Sequence, residues 1–371
     1  MQRVPARIGD PLPAVETPAL VVDLDAFEHN LDLMANAVRG SGLALRPHAK
    51  SHKCPDIAKA QIARGAVGIC CQKVDEAAAF VAAGIADVLV TNEIVAPSKI
   101  ARLAALAQSA TIGVLADDAG VIADLSAAAA LAGGTLHVYV EIDVGARRCG
   151  VVPGPAALAL AQAVAAAPGL RFRGLHAYHG AAQHLRRPEE RRAAIDRASR
   201  LAAQAKALIE GAGIACPVVT GAGTGTWQLE RDSRVYTELQ PGSYVFMDAD
   251  YARNALAPDE HHFEHSLYVL STVMSAPEPS RAVVDAGLKA LAVDSGLPIV
   301  HVRHGVHYVK ATDEHGVLAV ESGHVPPGIG ERIWLIPGHC DPTVNLYDWI
   351  VGMRGERVEC VWPVAARGAV G

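Results

Sequence analysis

Long apolar runs are missing from this chain. Nowhere do about 18 consecutive apolar residues occur, the length a spanning helix needs, and Met1 to Pro13 carry no apolar segment of a secretory leader. A cytoplasmic protein without a membrane partner is therefore expected. An excess of positive charge is missing too: the formal net charge is −6, and no basic stripe with interleaved aromatics occurs. That excludes the electrostatic footprint of nucleic-acid binding. The seven cysteines, Cys54, Cys70, Cys71, Cys149, Cys216, Cys340 and Cys360, form no C-x-x-C pair, so neither a disulfide framework nor a zinc ribbon is expected. No internal repeat or low-complexity linker interrupts the chain beyond Ala-rich stretches.

What is present is a chain of 371 residues, 51% hydrophobic and 19% charged, long enough for a large core and for two domains. From about Thr17, short β-branched runs alternate with Ala-rich helical stretches, the pattern of βα units around a parallel sheet. Leu20 to Leu24 reads as the first strand, followed by a helix capped at Asp25 and carrying Phe27, Leu31, Met34, Ala35 and Val38 on one face. Further strands are expected at Leu43 to Arg46, Val67 to Gln72, Asp87 to Thr91, Thr111 to Leu115, Leu136 to Asp143, Phe172 to His179 and Cys216 to Thr220. Eight such units close a (β/α)8 barrel of about 250 residues; periodicity does not separate it from a doubly wound open sheet. After roughly Asp250 the texture changes to short strands between Pro and Gly turns: His265 to Ser275, Arg281 to Asp285, Ile299 to Val309, Gly316 to Val320, Arg332 to Ile336 and Arg357 to Val361. The expected organisation is an α/β barrel domain over residues 15–254 and an all-β domain over 255–371, with residues 1–14 the candidates to join the latter.

Chemistry concentrates at the expected carboxyl ends of the strands, where parallel α/β folds place their sites. Lys50 follows the second strand among Arg46, His48, His52 and Lys53. A lysine enclosed by cations has a lowered pKa and is a usable nucleophile for Schiff-base chemistry; a solvated basic loop is the competing reading. The loop Gly221, Ala222, Gly223, Thr224, Gly225, Thr226 follows an apolar strand and offers amides and hydroxyls to a phosphate. It lacks the lysine of a Walker A loop and the spacing of G-x-G-x-x-G. In Pro337 to Thr343, His339 and Asp341 face one side if the segment is extended. Imidazole with carboxylate suits Mn²⁺ or Mg²⁺, with Zn²⁺ the softer alternative, and two ligands leave the open positions a catalytic ion needs. A surface turn is the competing reading. Tyr178 and His184 stand near the end of the seventh strand as hydrogen-bonding or acid/base groups, and Asp143, Arg147 and Arg148 near the end of the sixth.

These stretches occur in one order over nearly the whole chain, together with Gly68 to Lys73, Arg148-Cys149-Gly150, Tyr178-His179-Gly180, Gly242-Ser243-Tyr244 and Asp285 to Lys289. Together they resemble the D-threonine aldolase and D-serine dehydratase family, pyridoxal 5'-phosphate (PLP) enzymes of the alanine-racemase-like fold, fold type III. The resemblance implies a PLP-binding barrel, with Lys50 as the lysine that joins the cofactor. It implies that Gly221, Gly223, Thr224, Gly225 and Thr226, with Tyr244, cup the phosphate, that Arg148 faces the phenolic oxygen, and that Tyr178 lies beside the ring. It further implies His184 as the base near the substrate hydroxyl, His339 and Asp341 as metal ligands, Asp313 as an outer partner of the metal's waters, and a homodimer. The dehydratase branch binds zinc with a His-x-Cys pair, and Asp341 stands here where that cysteine would fall. The implied activity is thus metal-dependent cleavage of D-threonine and other D-3-hydroxy-α-amino acids to glycine and an aldehyde. The runners-up are a 3-hydroxy-D-aspartate aldolase, a D-threo-3-hydroxyaspartate dehydratase and, behind them, a D-serine dehydratase. Two other classes are a barrel metallohydrolase with a structural Lys50 and a PLP carrier without catalysis; for a carrier, the metal pair and the second domain would be superfluous.

Overall fold

The run near residue 20 does form a strand, β1 (Ala19–Asp23), in the computed structural model of the protein, which describes residues 3–371. It does not lie in the barrel. β1 pairs antiparallel with β10 (Leu267–Glu278) and parallel with β16 (Trp349–Arg354), which places it inside the second sheet and corrects the strand count read from the sequence. An apolar run with both faces buried looks the same in either sheet. Helix α1 (Leu24–Val38) follows, and Asp23, not Asp25, caps it by accepting from the Asp25 and Ala26 amides.

The barrel strands are β2 (Ala44–Leu45), β3 (Ile69–Cys71), β4 (Asp87–Glu93), β5 (Thr111–Ala116), β6 (Leu136–Glu141), β7 (Leu170–His176), β8 (Val218–Gly221) and β9 (Glu238–Leu239). They pair in parallel in the order β2-β9-β8-β7-β6-β5-β4-β3. The ring closes where Val67 N donates to Leu45 O at 2.9 Å and Cys70 N to Pro47 O at 2.8 Å, so the fold is a barrel and not an open sheet. The eighth strand is therefore β9, which left no apolar run to read because one of its two residues is the buried Glu238. Helices α2 (Pro55–Ala63), α3 (Val74–Ala82), α4 (Pro97–Leu106), α5 (Ala119–Ala132), α6 (Pro155–Ala166), α7 (Pro188–Gly211) and α8 (Trp227–Ser233) follow β2 to β8 in turn. α1 is stapled to the chain beyond β9 by Asn30, which donates to Glu264 O and accepts from Glu264 N, both at 2.8 Å.

The second sheet runs β13-β14-β11-β10-β1-β16-β17, with β15 (Arg332–Ile336) beside β10 and β12 (Ile299–Val300) beside β15. Its other members are β11 (Arg281–Val284), β13 (Val306–Ala311), β14 (Gly316–Val320) and β17 (Arg357–Pro363). The run expected at Ile299 to Val309 is split into β12 and β13 by a turn in which Val302 and Gly305 take positive φ. Among the described residues no helix is long and apolar enough to cross a membrane, and all seven cysteines are free thiols.

The barrel interior is polar at one level. Arg46, 6% exposed, bonds Glu238 at 3.0 Å and Asp87 at 2.6 Å, and Thr220 donates to Glu238 at 2.9 Å. Burial disfavours the Arg46 charge, but the two carboxylates outweigh it and raise its pKa further. Gly68 makes room, since a Cβ there would lie 2.6 Å from Arg46 Nη1. Removing the guanidinium strands a buried carboxylate, so Arg46→Ala should destabilise the chain by about 3–5 kcal/mol. Urea unfolding of wild type and variant measures it, and a difference below about 1 kcal/mol would contradict the assignment.

Candidate active site

Beyond β2 the chain turns sharply. His48 caps a 3-10 turn over Ala49–Ser51, its Nδ1 accepting from Lys50 N at 3.3 Å, and Lys50 lines a cavity of about 100 Å³. Its walls include Gln72, Arg148, His176, Tyr178, Thr224 and Tyr251, drawn from several strand ends. The Lys50 ammonium contacts the Asp341 carboxylate of the β domain.

The crowd of cations expected around Lys50 does not form. Arg46 points to Glu238 and Asp87, and Lys53 pairs with Glu76 at 2.8 Å. Burial pushes His52 down to about 4 and, with the Lys50 charge, holds His48 well below its usual range, so both imidazoles are neutral. Enclosure alone would lower the Lys50 pKa, yet the Asp341 charge prevails and raises it, contrary to the depression expected from the sequence. Asp341 is shifted the other way, to about 2: burial favours its neutral form, and Lys50 with His339 overcomes that.

The glycine loop closes the same cavity from β8. Gln183 organises it, accepting from Gly225 N at 3.0 Å and donating to Thr226 Oγ1 at 2.8 Å. A Cβ on Gly223 would lie 2.5 Å from Gln183 Oε1 and one on Gly225 2.7 Å from Gln183 O, so both positions require glycine. Ala222 takes φ 73°, and Gly221 ends the strand with its Cβ position 2.7 Å from Ala177 O. The buried Thr224 hydroxyl has no partner among the described residues and lines the cavity, the arrangement a phosphate oxygen would complete. With the Lys50 amine in the same cavity, these residues fit PLP. Tyr244 does not join them: it is 1% exposed, accepts from Gln61 at 3.1 Å and packs on Phe263 in the core. Its neighbour Ser243 lines the cavity instead. Arg148 lies over the Tyr178 ring at 5.6 Å and 3.8 Å from Glu141. Enclosure raises the Tyr178 pKa and keeps the phenol protonated.

His184 ends a second 3-10 turn, Gly180–His184. Its Nδ1 meets Asp250 Oδ2 at 2.6 Å, and its ring stacks on Tyr251, with ring centroids 5.8 Å apart. His339 occupies the N-cap position of the short helix α9 (Cys340–Val344) without a side-chain cap, so Asp341 lies in a helical first turn and not in the extended segment assumed from the sequence. His339 Nδ1 meets Asp294 Oδ2 at 2.8 Å, leaving Nε2 for another ligand. Asp248 joins the two sides, accepting from Tyr251 N at 2.9 Å and Cys340 N at 3.0 Å. Among the described residues no group of three or more metal-binding side chains stands together. Asp313 lies exposed between β13 and β14, its carbonyl accepting from Lys289 N, and no hydrogen bond or ion pair among the described residues links it to His339 or Asp341. Asp248, Asp250, Tyr251 and Asp294 were not singled out from the sequence. Their partners His184, His339 and Cys340 lie 45 to 92 positions away, where no local spacing reports them.

Comparison with known proteins agrees with this geometry. Residues 22–250 match the family described as Alanine racemase, N-terminal domain, and residues 266–353 match a serine dehydratase domain. The chain is 49% identical over 364 residues to a D-threonine aldolase of Arthrobacter sp., covering 98% of this chain and 96% of that protein. It is 48% identical over 371 residues to a 3-hydroxy-D-aspartate aldolase of Paracoccus denitrificans, covering 98% and 95%. It superposes with a TM-score of 0.97 on the crystal structure of D-threonine aldolase from Filomicrobium marinum, 51% identical, over 99% of this chain and 100% of that one. On these matches the chain belongs to the alanine racemase N-terminal domain family, and residues 266–353 beyond its barrel are similar to the serine dehydratase domain model.

Proposed function

We propose that this protein is a PLP- and divalent-metal-dependent D-threonine aldolase, a carbon-carbon lyase that cleaves D-3-hydroxy-α-amino acids to glycine and an aldehyde. The likeness to aldolases over nearly the full length supports the class. The observation that carries the reading is the contact of Lys50 with Asp341, residues 291 positions apart, beside a loop shaped for phosphate. A metallohydrolase has no use for that lysine, and a carrier has no use for the second domain.

Lys50 would hold the cofactor covalently, with Gly223, Thr224, Gly225 and Thr226 at its phosphate and Arg148 and Tyr178 beside its ring. PLP, when bound, supplies the electron sink for the pair that the broken Cα–Cβ bond leaves on Cα. His339 and Asp341 would hold an ion such as Mn²⁺ or Mg²⁺, whose chemistry is to acidify a hydroxyl. The donor set fits, since His339 Nδ1 is held by Asp294 and a metal-binding histidine commonly bonds a carboxylate through its other nitrogen. His184 takes the proton of the substrate 3-hydroxyl, the C–O bond becomes a carbonyl, and the Cα–Cβ bond breaks. A homodimer in the cytoplasm, the β domain of one subunit near the other's barrel mouth, accompanies this reading. Sedimentation at assay concentration should show a dimer, and a fully active monomer would contradict it.

Exhaustive EDTA treatment should abolish cleavage while the visible absorption of bound PLP persists, and Mn²⁺ or Mg²⁺ should restore it. Full activity in demonstrably metal-free protein refutes the metal role. Asp341→Cys should move the preference toward Zn²⁺, because thiolate is the softer ligand.

The near-equal likeness to a D-threonine and a 3-hydroxy-D-aspartate aldolase makes the second substrate the specific competitor. Product analysis with both substrates in parallel decides. Glycine and acetaldehyde from D-threonine without ammonia are expected. Turnover of 3-hydroxy-D-aspartate alone, to glycine and glyoxylate, would move the assignment, and ammonia with a 2-oxo acid would replace cleavage by dehydration.

A further inference from the structure

Asp250 comes from the segment that leaves the barrel after β9, whereas His184 comes from the turn after β7, and a dense set of bonds brings them together. Arg186 donates through Nη2 to Asp250 Oδ1 at 2.5 Å, and through Nη1 to the Asp250 carbonyl and to Asn254 Oδ1, both at 2.7 Å. Asn254 in turn donates to Gln183 O at 2.8 Å, tying this corner to the phosphate loop's organiser. Arg253 lies 3.4 Å from the same Oδ1. The Asp250 side chain is 8% exposed and that of His184 51% exposed, so one partner is enclosed and the other open to solvent. Burial works against the Asp250 charge, but the bonds from Arg186 and His184 prevail and hold it ionised.

An ionised carboxylate only accepts hydrogen bonds. With Oδ1 occupied by Arg186 and Oδ2 facing His184, the imidazole must carry its proton on Nδ1. The Tyr251 ring, which lines the cofactor cavity, supports the imidazole face. We infer that Asp250 is a positioning residue that locks His184 in the Nδ1–H tautomer, so that Nε2 presents its lone pair to the substrate hydroxyl, with Arg186 fixing which carboxylate oxygen serves which partner. Once His184 has taken the hydroxyl proton on Nε2, both ring nitrogens carry hydrogen, and the Asp250 charge offsets the imidazolium. This role rests on the assignment of His184 as the base.

The arrangement makes Asp250→Asn a sharp test. Arg186 donates only, so the amide oxygen of the variant stays on Arg186 and its NH₂ turns toward His184. Nδ1 must then accept, the proton moves to Nε2, and the base loses its lone pair without any change of size at the site. Histidine-selective ¹⁵N NMR of the PLP-loaded enzyme, with His184→Ala assigning the signal, should show Nδ1–H in the wild type and Nε2–H in Asp250→Asn. kcat should fall by about 10²-fold or more, with KM within about threefold and the PLP absorption unchanged. A wild-type His184 protonated on Nε2, or an Asp250→Asn enzyme that keeps Nδ1–H, overturns the inference, and the wild-type spectrum decides even if the variant does not fold. An Asp250→Asn enzyme with near wild-type kcat, when His184→Ala is inactive, overturns it as well. If His184→Ala itself cleaves normally, the base assignment falls, and the tautomer reversal alone decides the role of Asp250.

Discussion

An ammonium and a carboxylate from opposite ends of the chain hold each other's charge at the barrel mouth, and the remainder of the site depends on that pair. The Asp341 side chain is 13% exposed and that of Lys50 41% exposed, and the two shift in opposite directions, Lys50 upward and Asp341 down to about 2. Their contact brings the barrel and the β domain together beside the cavity that Lys50 lines. Asp248 reinforces the alignment, its two carboxylate oxygens taking one amide from the strap that leaves the barrel and one from α9. The central place of β1 and β10 in the second sheet adds to it, because the chain enters and leaves the barrel through adjacent strands.

The histidines divide by environment. His48 and His52 are buried and held neutral, and they shape the turn that presents Lys50. His184 and His339 are each held at Nδ1 by a carboxylate, at 2.6 and 2.8 Å, which leaves Nε2 of each for another partner. One residue type therefore sits in two environments, and the neighbouring carboxylate makes the difference. The Arg46 network lies deeper in the barrel, where its fully paired charges act on stability and not on reaction.

Much of the fold was legible. Alternating βα runs pointed to the barrel, the change of texture near residue 250 pointed to a β domain, and the glycine loop and Lys50 came out as candidates from residue type and placement. Misreadings arose where the deciding partner is distant. β1 has the apolar pattern of a barrel strand but pairs with β10 and β16. β9 carries almost no pattern because its Glu238 is solvated by Arg46 instead of water. Tyr244 follows Gly242-Ser243 toward the cavity yet turns into the core, where Gln61 satisfies its hydroxyl.

The sequence by itself determined which side chains were available and which turns were accessible: glycines at 223 and 225 where no Cβ fits, Pro55 opening α2, and a lysine just past a strand. Such properties depend on volume and backbone freedom within a few residues. Only the tertiary structure decided charge and direction. It made Lys50 the partner of Asp341 where a crowd of cations was expected, and it gave His184 an orienting carboxylate from 66 positions away. Electrostatic states depend on what lies within a few ångströms and on how much water is excluded, and neither quantity is a function of distance along the chain.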